Sequence, residues 1–172
     1  CGTHCDWAFS GALKYTERTP DMPNSLYALT KLMNEKAGHY YYDTHGIKFC
    51  ALRYVYIWQS CTAPEAIQPI GLISRITVRE DCADANLRAC TAANVENDVL
   101  LIGPDNRMSN QDIVRSITAL EEVVDKYWPG SVDLLKEAGF KIKGKLWPAC
   151  DITRARQVLG WSPRYDFDWL LG

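Results

Sequence analysis

The chain has 172 residues, of which 47% are hydrophobic and 23% charged, a composition typical of a globular protein with one substantial core. Its formal net charge of -2 gives no reason to expect a nucleic acid or an anionic membrane as a partner. No apolar run approaches the roughly 20 residues that span a bilayer. The opening residues, Cys-Gly-Thr-His, do not have the basic and then apolar pattern of a signal peptide.

A long helix is the first element that the pattern predicts. Ser25 is a suitable N-cap, and His45 followed by Gly46 is a suitable end. Between them, apolar residues at helical spacing predict one apolar stripe, formed by Leu29, Leu32, Met33, Ala37 and Tyr40. The next segment, 47–57, is rich in β-branched and aromatic residues and predicts a buried strand.

Helices and strands alternate in the middle of the chain. Thr77 and Glu80 have the spacing of a capping box, which predicts a helix through about Ala92. Residues 98–102 form a short apolar run that predicts a strand. Ser109 is expected to cap one helix that continues to Trp128-Pro-Gly, with apolar positions at Ile113, Ile117, Leu120, Val123 and Val124.

Two more helices are predicted towards the C-terminus. The first covers 132–138, and the second is capped by Asp151 and ends at Leu159-Gly160. Strands that are separated by helices predict an α/β fold with parallel strand pairing.

The seven cysteines are odd in number, and no Cys-x-x-Cys occurs among them; they lie at positions 1, 5, 50, 61, 82, 90 and 150. We therefore expect reduced thiols in a cytoplasmic protein. Cys1, His4 and Cys5 form a tight cluster, but no second ligand pair has the spacing of a zinc site. His39 and Asp43 share a helix face, where a solvated helix end is the expected interpretation. We predict no metal.

Tyr27 and Lys31 are the candidate catalytic residues. They are four positions apart, so a helix places them above one another on one face. A phenol with a reference pKa of about 10 is a poor base at neutral pH, and an adjacent ammonium stabilises the phenolate. Such a pair can move a proton to or from a sugar hydroxyl while a cofactor moves the hydride. Tyr-x-x-x-Lys alone is a weak motif in a chain with nine tyrosines.

Ordered motifs over nearly the whole chain resemble the extended short-chain dehydrogenase/reductase family. The similarity is greatest to its NAD-dependent sugar-nucleotide epimerases and dehydratases, with uronate epimerases and UDP-glucose 4-epimerase nearby. The segments that carry the resemblance are Tyr15-Thr-Glu17, Pro23, Ser25 to Lys31 with Glu35, His45-Gly-Ile47, Leu52-Arg-Tyr54, 78–86, 97–103, Asp151 to Ala155, Leu159-Gly-Trp161 and Pro163.

The resemblance implies a mechanism. Tyr27 would be the general acid/base, and Lys31 would hold the nicotinamide ribose and lower the pKa of the tyrosine. Alignment of Trp7 with the tyrosine of the family's Ser-Ser-Ser-x-Val-Tyr-Gly motif places Thr3 at the third catalytic position. NAD would be a tightly held cofactor that takes a hydride from a sugar carbon and returns it.

The resemblance also implies an architecture. The expected fold is α/β, the C-terminal part of a doubly wound Rossmann-like parallel sheet with a small, mostly helical substrate subdomain. Residues 1–60 would end the Rossmann-like domain, and residues 61–172 would form the substrate subdomain, with returning Rossmann elements at 76–103. A nucleotide sugar would be the substrate. The chain would form a homodimer through the helix that carries Tyr27 and Lys31.

Two departures from the family leave two hypotheses open. No two glycines are spaced by one or two residues, so the glycine-rich pyrophosphate loop of the family's N-terminal half is missing from this sequence. Tyr56 replaces the usual sugar-contacting asparagine. The chain is thus either an incomplete copy of an enzyme or an inactive dimerisation or assembly protein. Without the first strands the sheet would have an unprotected edge, so we expect the chain alone to be poorly soluble or oligomeric.

Overall fold

The computed structural model describes residues 14–58, 68–147 and 149–172. In this part of the chain the helices are α1 (Leu26–His45), α2 (Pro69–Ser74), α3 (Arg79–Thr91), α4 (Asn110–Arg115), α5 (Leu120–Tyr127), α6 (Ser131–Glu137), α7 (Thr153–Leu159) and α8 (Phe167–Leu171). The strands are β1 (Lys14–Tyr15), β2 (Phe49–Tyr54), β3 (Tyr56–Trp58), β4 (Ile76–Val78), β5 (Asn97–Ile102) and β6 (Ala149–Cys150). The predicted α/β class is confirmed.

The strand pairs of the described residues are parallel, as the alternation of helices and strands predicts. The longest ladder joins β2 to β5, from Phe49 opposite Asn97 to Tyr54 opposite Ile102. Shorter ladders join β3 to β4 and β1 to β6. Parallel neighbours need a crossover between them, and helices and long connections provide it.

Two clusters of buried apolar side chains form the core. One lies around α2, β4 and α4 to α6, and its most deeply buried members include Leu72, Val123, Val124 and Phe167. The other packs β5, β6 and α7 around the fully buried Trp161. The side chains of Cys50, Leu52 and Tyr54 pack against this second cluster. Because strand side chains alternate, Phe49 and Arg53 point to the opposite face of β2.

The helix α1 begins and ends where the sequence predicts. The Ser25 hydroxyl accepts a hydrogen bond from the backbone N–H of Ala28 at 3.1 Å. Gly46 ends the helix at φ 64°, a left-handed conformation that glycine adopts without strain. The predicted apolar stripe is not buried within the described residues: Met33 is 60% exposed, and Leu29 and Tyr40 are exposed as well.

Three details of the predicted elements are wrong. The segment 47–57 is not one strand, because β2 ends at Tyr54 and β3 starts at Tyr56. Thr77 is not a capping residue: it lies in β4 opposite Ile57, and α3 begins without a side-chain cap. Residues 109–128 form two helices, α4 and α5.

The break between α4 and α5 lies at the buried Ser116. Its hydroxyl donates to the Ile113 carbonyl at 2.7 Å and accepts the backbone N–H of Leu146 at 3.1 Å. Hydroxyl groups that bond to the backbone compete with the helical ladder. The Ser109 cap is confirmed, since its hydroxyl accepts the Asp112 N–H at 3.1 Å. No helix among the described residues is long and apolar enough to cross a membrane.

Candidate active site

Tyr27 and Lys31 lie side by side in the first two turns of α1. The Lys31 Nζ atom is 5.3 Å from the centroid of the Tyr27 ring. Tyr27 is 56% exposed, and Lys31 is half-buried. The helix is secured here by the Ser25 cap, and the Thr30 hydroxyl donates to the Tyr27 carbonyl at 2.8 Å. The phenol and the ammonium can therefore act on one ligand at the surface of the helix.

A buried ionic cluster attaches α1 to the sheet. Arg53 of β2 is 5% exposed, and its guanidinium donates from Nε to Glu35 Oε1 at 2.9 Å and from Nη2 to Glu35 Oε2 at 2.6 Å. Asp21, in the loop before α1, lies 3.0 Å from the same Nη2. Burial acts to lower the pKa of Arg53, but hydrogen bonding to Glu35 and the charges of Glu35 and Asp21 raise it above the usual value. Arg53 therefore stays charged.

Two further contacts fix the later turns of α1. Gly38 lies against the ring of Phe49, where an added Cβ would be only 2.1 Å from the nearest ring carbon. A hydrogen bond joins His39 Nδ1 to Asn97 Oδ1, and the His39 ring meets Phe49 edge-on at 5.3 Å. Glu35, Gly38 and His39 share the face of α1 that meets the sheet, whereas Met33 and its apolar neighbours lie on the opposite face.

A second group of candidate functional side chains lies where β3 and β4 begin. The Arg75 guanidinium lies 5.3 Å from the ring centroid of Tyr56 and 5.1 Å from that of Trp147. Lys145 Nζ is 5.3 Å from the Trp147 ring. Such distances are typical of cation–π contacts. In the described part of the chain neither cation forms an ion pair, so this aromatic and basic cluster carries uncompensated positive charge.

The structure brings together only some of the residues that the sequence singles out. Tyr27 is adjacent to Lys31, and Tyr56 belongs to the aromatic and basic cluster. Thr3 lies outside the described residues. Sequence reasoning missed Arg75 and Trp147, because their contact joins residues far apart in the sequence.

The sequence predicted no metal ligands. No group of three or more His, Cys, Asp or Glu side chains that could hold a metal ion occurs among residues 14–58, 68–147 and 149–172. Cys1, His4 and Cys5 lie outside these ranges.

Part of the chain matches a known protein family. A sequence model of the NAD dependent epimerase/dehydratase family matches residues 7–57, the segment that contains Tyr27, Lys31 and Arg53. A comparison with curated protein sequences gives no match.

Several solved structures have the same fold. UDP-glucuronic acid 4-epimerase from Bacillus cereus, in complex with NAD, is 21% identical, with a TM-score of 0.57; the match covers 99% of this chain and 58% of that one. UDP-N-acetylglucosamine 4-epimerase from Bacillus cereus is 20% identical, with a TM-score of 0.61 and coverage of 96% and 56%. dTDP-glucose 4,6-dehydratase from Bacillus anthracis is 17% identical, with a TM-score of 0.56 and coverage of 90% and 52%.

The fold and the family match agree with each other. The described residues have the Rossmann-like α/β fold of these solved structures. Residues 7–57 match the sequence model of the NAD dependent epimerase/dehydratase family, which confirms for this segment the resemblance drawn from the motifs. The chain spans just over half the length of the solved structures that it matches.

Proposed function

We propose that this chain forms part of an NAD-dependent epimerase or dehydratase that acts on a nucleotide sugar. The observation that carries the proposal is the contact between Tyr27 and Lys31, with Lys31 Nζ 5.3 Å from the phenol ring. The match of residues 7–57 to the epimerase/dehydratase family supports it. So do the similar structures, which are UDP-sugar and dTDP-sugar enzymes in complex with NAD.

The pair fits the nicotinamide-ribose end of NAD. Lys31 forms no ion pair with any described residue, so its N–H groups can donate to the ribose hydroxyls. NAD supplies a reversible acceptor for the hydride of a sugar C–H bond. The sugar hydroxyl on the same carbon must lose its proton in that step, and we assign this proton to the Tyr27 oxygen. Tyr27 would accept it as the phenolate, which the Lys31 ammonium stabilises, and would give it back from the neutral phenol when the hydride returns.

The aromatic and basic cluster supports a nucleotide sugar as the substrate. Tyr56 is 53% exposed, and its ring stacks with a guanidinium that lacks a carboxylate partner among the described residues. Arg75 and Lys145 would bind the diphosphate, and Tyr56 and Trp147 would pack against the sugar or the base. Thr3, outside the described residues, remains our candidate for orienting a substrate hydroxyl.

Bound cofactor and turnover test the proposal directly. The chain is purified, and its binding of NADH is measured by fluorescence titration, without and with UDP-glucuronic acid or UDP-N-acetylglucosamine. Turnover of these two nucleotide sugars is measured on the same preparation. We expect Tyr27→Phe to abolish turnover, with Tyr40→Phe, an exposed tyrosine on the same helix, as the matched control. Turnover that Tyr27→Phe leaves unchanged would end the enzyme assignment. We expect Arg75→Ala to weaken binding of the nucleotide sugar more than binding of NADH.

A second candidate function is assembly of a homodimer through α1. The face of α1 opposite the sheet exposes three apolar side chains at helical spacing, those of Leu29, Met33 and Tyr40. Sedimentation over a range of concentrations tests this. Met33→Glu should shift the chain towards the monomer, whereas Leu87→Glu, at an exposed apolar position of α3, should not. Full NADH binding and turnover by a Met33→Glu monomer would separate the two candidates.

We also propose the cytoplasm as the location of this chain. The free thiols of Cys50, Cys82, Cys90 and Cys150 support it, because reduced cysteines are usual in that compartment.

A further inference from the structure

The carboxylate of Glu35, one helical turn from Lys31, could bind the Lys31 ammonium and draw it away from Tyr27. Glu35 follows it by four positions, a spacing at which lysine and glutamate side chains attract each other on a helix. Nevertheless, no ion pair joins the two in the described structure. The Lys31 ammonium instead lies over the Tyr27 ring.

The Glu35 carboxylate is already occupied by Arg53. Both of its oxygens accept from the guanidinium, at 2.9 Å and 2.6 Å. The Glu35 side chain is only 12% exposed and that of Arg53 only 6%, so water competes little for either group. A two-point contact of this kind is stronger and more directional than a single hydrogen bond.

Removal of Arg53 would leave a carboxylate with little water around it. A buried charge that loses its partner is strongly unfavourable, so Glu35 would take another cation within reach. Asp21, the other acidic member of the cluster, would repel the Glu35 carboxylate and could not compensate its charge. Lys31, on the same side of the same helix, is the cation that helical spacing places within reach.

We propose that Arg53 is a positioning residue for the site. By binding both oxygens of Glu35, it withholds that carboxylate from Lys31 and leaves the ammonium beside the Tyr27 phenol. The catalytic consequence rests on the proposed function, in which Tyr27 and Lys31 react together. The placement of Lys31 does not rest on it and can be measured without any ligand.

The position of Lys31 can be followed by NMR. Reductive methylation with ¹³C-formaldehyde converts lysines to dimethylammonium groups that keep their charge. The ring current of Tyr27 should displace the Lys31 methyl signal, which the Lys31→Arg variant assigns. The Tyr27→Leu variant gives the reference position of the Lys31 signal when the aromatic ring is absent. We expect Arg53→Met to move the Lys31 signal to the position found in Tyr27→Leu.

A double variant separates this role from a merely structural one. Arg53→Met with Glu35→Gln removes the competing charge, so the Lys31 signal should return to its native position. If Arg53 only supports the helix, the double variant stays displaced, and that result would overturn the proposal. An Arg53→Met signal at the native position would also overturn it. Arg88→Met, which removes an arginine from an ion pair on α3, should leave the signal unchanged.

A folding defect and a failed functional assignment can both be distinguished from failure of the proposal. If Arg53→Met does not fold by circular dichroism, Arg53→Gln replaces it, alone and with Glu35→Gln, and the same outcomes decide. NADH titration is then done on the same variants. If the native chain binds no NADH while the signals follow the expected pattern, the proposed enzyme fails and the placement of Lys31 by Arg53 stands.

Discussion

Asp81 binds the backbone of Arg164, 83 positions further along the chain. Both carboxylate oxygens lie 3.1 Å from the Arg164 N–H, and the Tyr165 N–H donates to Oδ2 at the same distance. The Asp81 carbonyl accepts the indole N–H of the buried Trp161 at 3.1 Å. One residue in the first turn of α3 thus fixes the segment that follows α7.

Asp81→Ala should therefore loosen the C-terminal segment. Loss of the carboxylate leaves two backbone N–H groups without their acceptor, and each unsatisfied buried group costs about 1–3 kcal/mol. We expect urea denaturation to show a lower free energy of unfolding by that amount or more. Asp84→Ala, on the same helix, removes partly exposed ion pairs with Arg88 and Arg164 and should cost less than about 1 kcal/mol. Equal losses in the two variants would contradict this role of Asp81.

Asp112 should give the protein an acid-sensitive contribution to stability. Hydrogen bonds from Lys126, Ser109 and Tyr127 hold the pKa of this carboxyl well below its usual value. A lowered folded-state pKa stabilises the protein above the unfolded-state value of about 3.9, and this contribution is lost as the pH falls through the folded-state value. The stability difference between the native chain and Asp112→Asn should be constant from about pH 5 to 7 and shrink below about pH 4.

Asp81 provides a control of opposite sign. Burial raises the pKa of its carboxyl, in spite of the backbone hydrogen bonds from Tyr165 and Arg164. Its contribution is therefore fully present below the unfolded-state pKa and is lost as the pH rises through the folded-state value. Relative to Asp81→Asn, the native chain should gain stability on acidification. The two quantities to compare are the stability difference between the native chain and Asp112→Asn and that between the native chain and Asp81→Asn. If both change in the same direction with pH, the assignment of charge to these two sites is wrong.

The ends of α1 could be predicted because they depend on neighbouring residues. The Ser25 hydroxyl caps a backbone N–H three positions away, and Gly46 needs only its own freedom to adopt a positive φ. The adjacency of Tyr27 and Lys31 likewise follows from helical spacing. These features require no knowledge of how the rest of the chain packs.

The failed predictions depend on contacts between distant residues. Thr77 had the pattern of a helix cap, but pairing with Ile57 makes it part of a strand. Ser116 interrupts a continuous helical pattern because Leu146, 30 positions later, uses its hydroxyl. The stacking of Arg75 on Tyr56 and Trp147 also joins residues far apart in sequence, so no local pattern indicated it.

The four described cysteines should differ widely in reactivity. Burial raises the pKa of Cys82 and that of Cys150 to about 12, and that of the half-buried Cys50 to about 11. Because the thiolate is the nucleophile, a rise from 9.0 to about 12 lowers its fraction on the order of 10³-fold. With iodoacetamide and peptide mass mapping, we expect Cys90, which is exposed, to be labelled first. Early labelling of Cys150 in the folded chain would contradict this.

Gly38 should be intolerant of alanine, although it lies inside a helix. Alanine there would normally stabilise a helix by about 0.5–1 kcal/mol. At Gly38, however, a Cβ would be 2.1–2.4 Å from ring carbons of Phe49. Overpacking costs about 1–3 kcal/mol, so Gly38→Ala should lower the free energy of unfolding in urea by about 1 kcal/mol.

A double-mutant cycle isolates the contact between Gly38 and Phe49. In a Phe49→Leu background the ring is absent, so Gly38→Ala should become neutral or stabilising, by up to about 1 kcal/mol. This change of sign would show that the close approach of α1 to β2 depends on the missing Cβ. If Gly38→Ala destabilises both backgrounds equally, the ring is not the obstacle, and α1 is held against the sheet mainly by the Arg53–Glu35 pair and the hydrogen bond of His39.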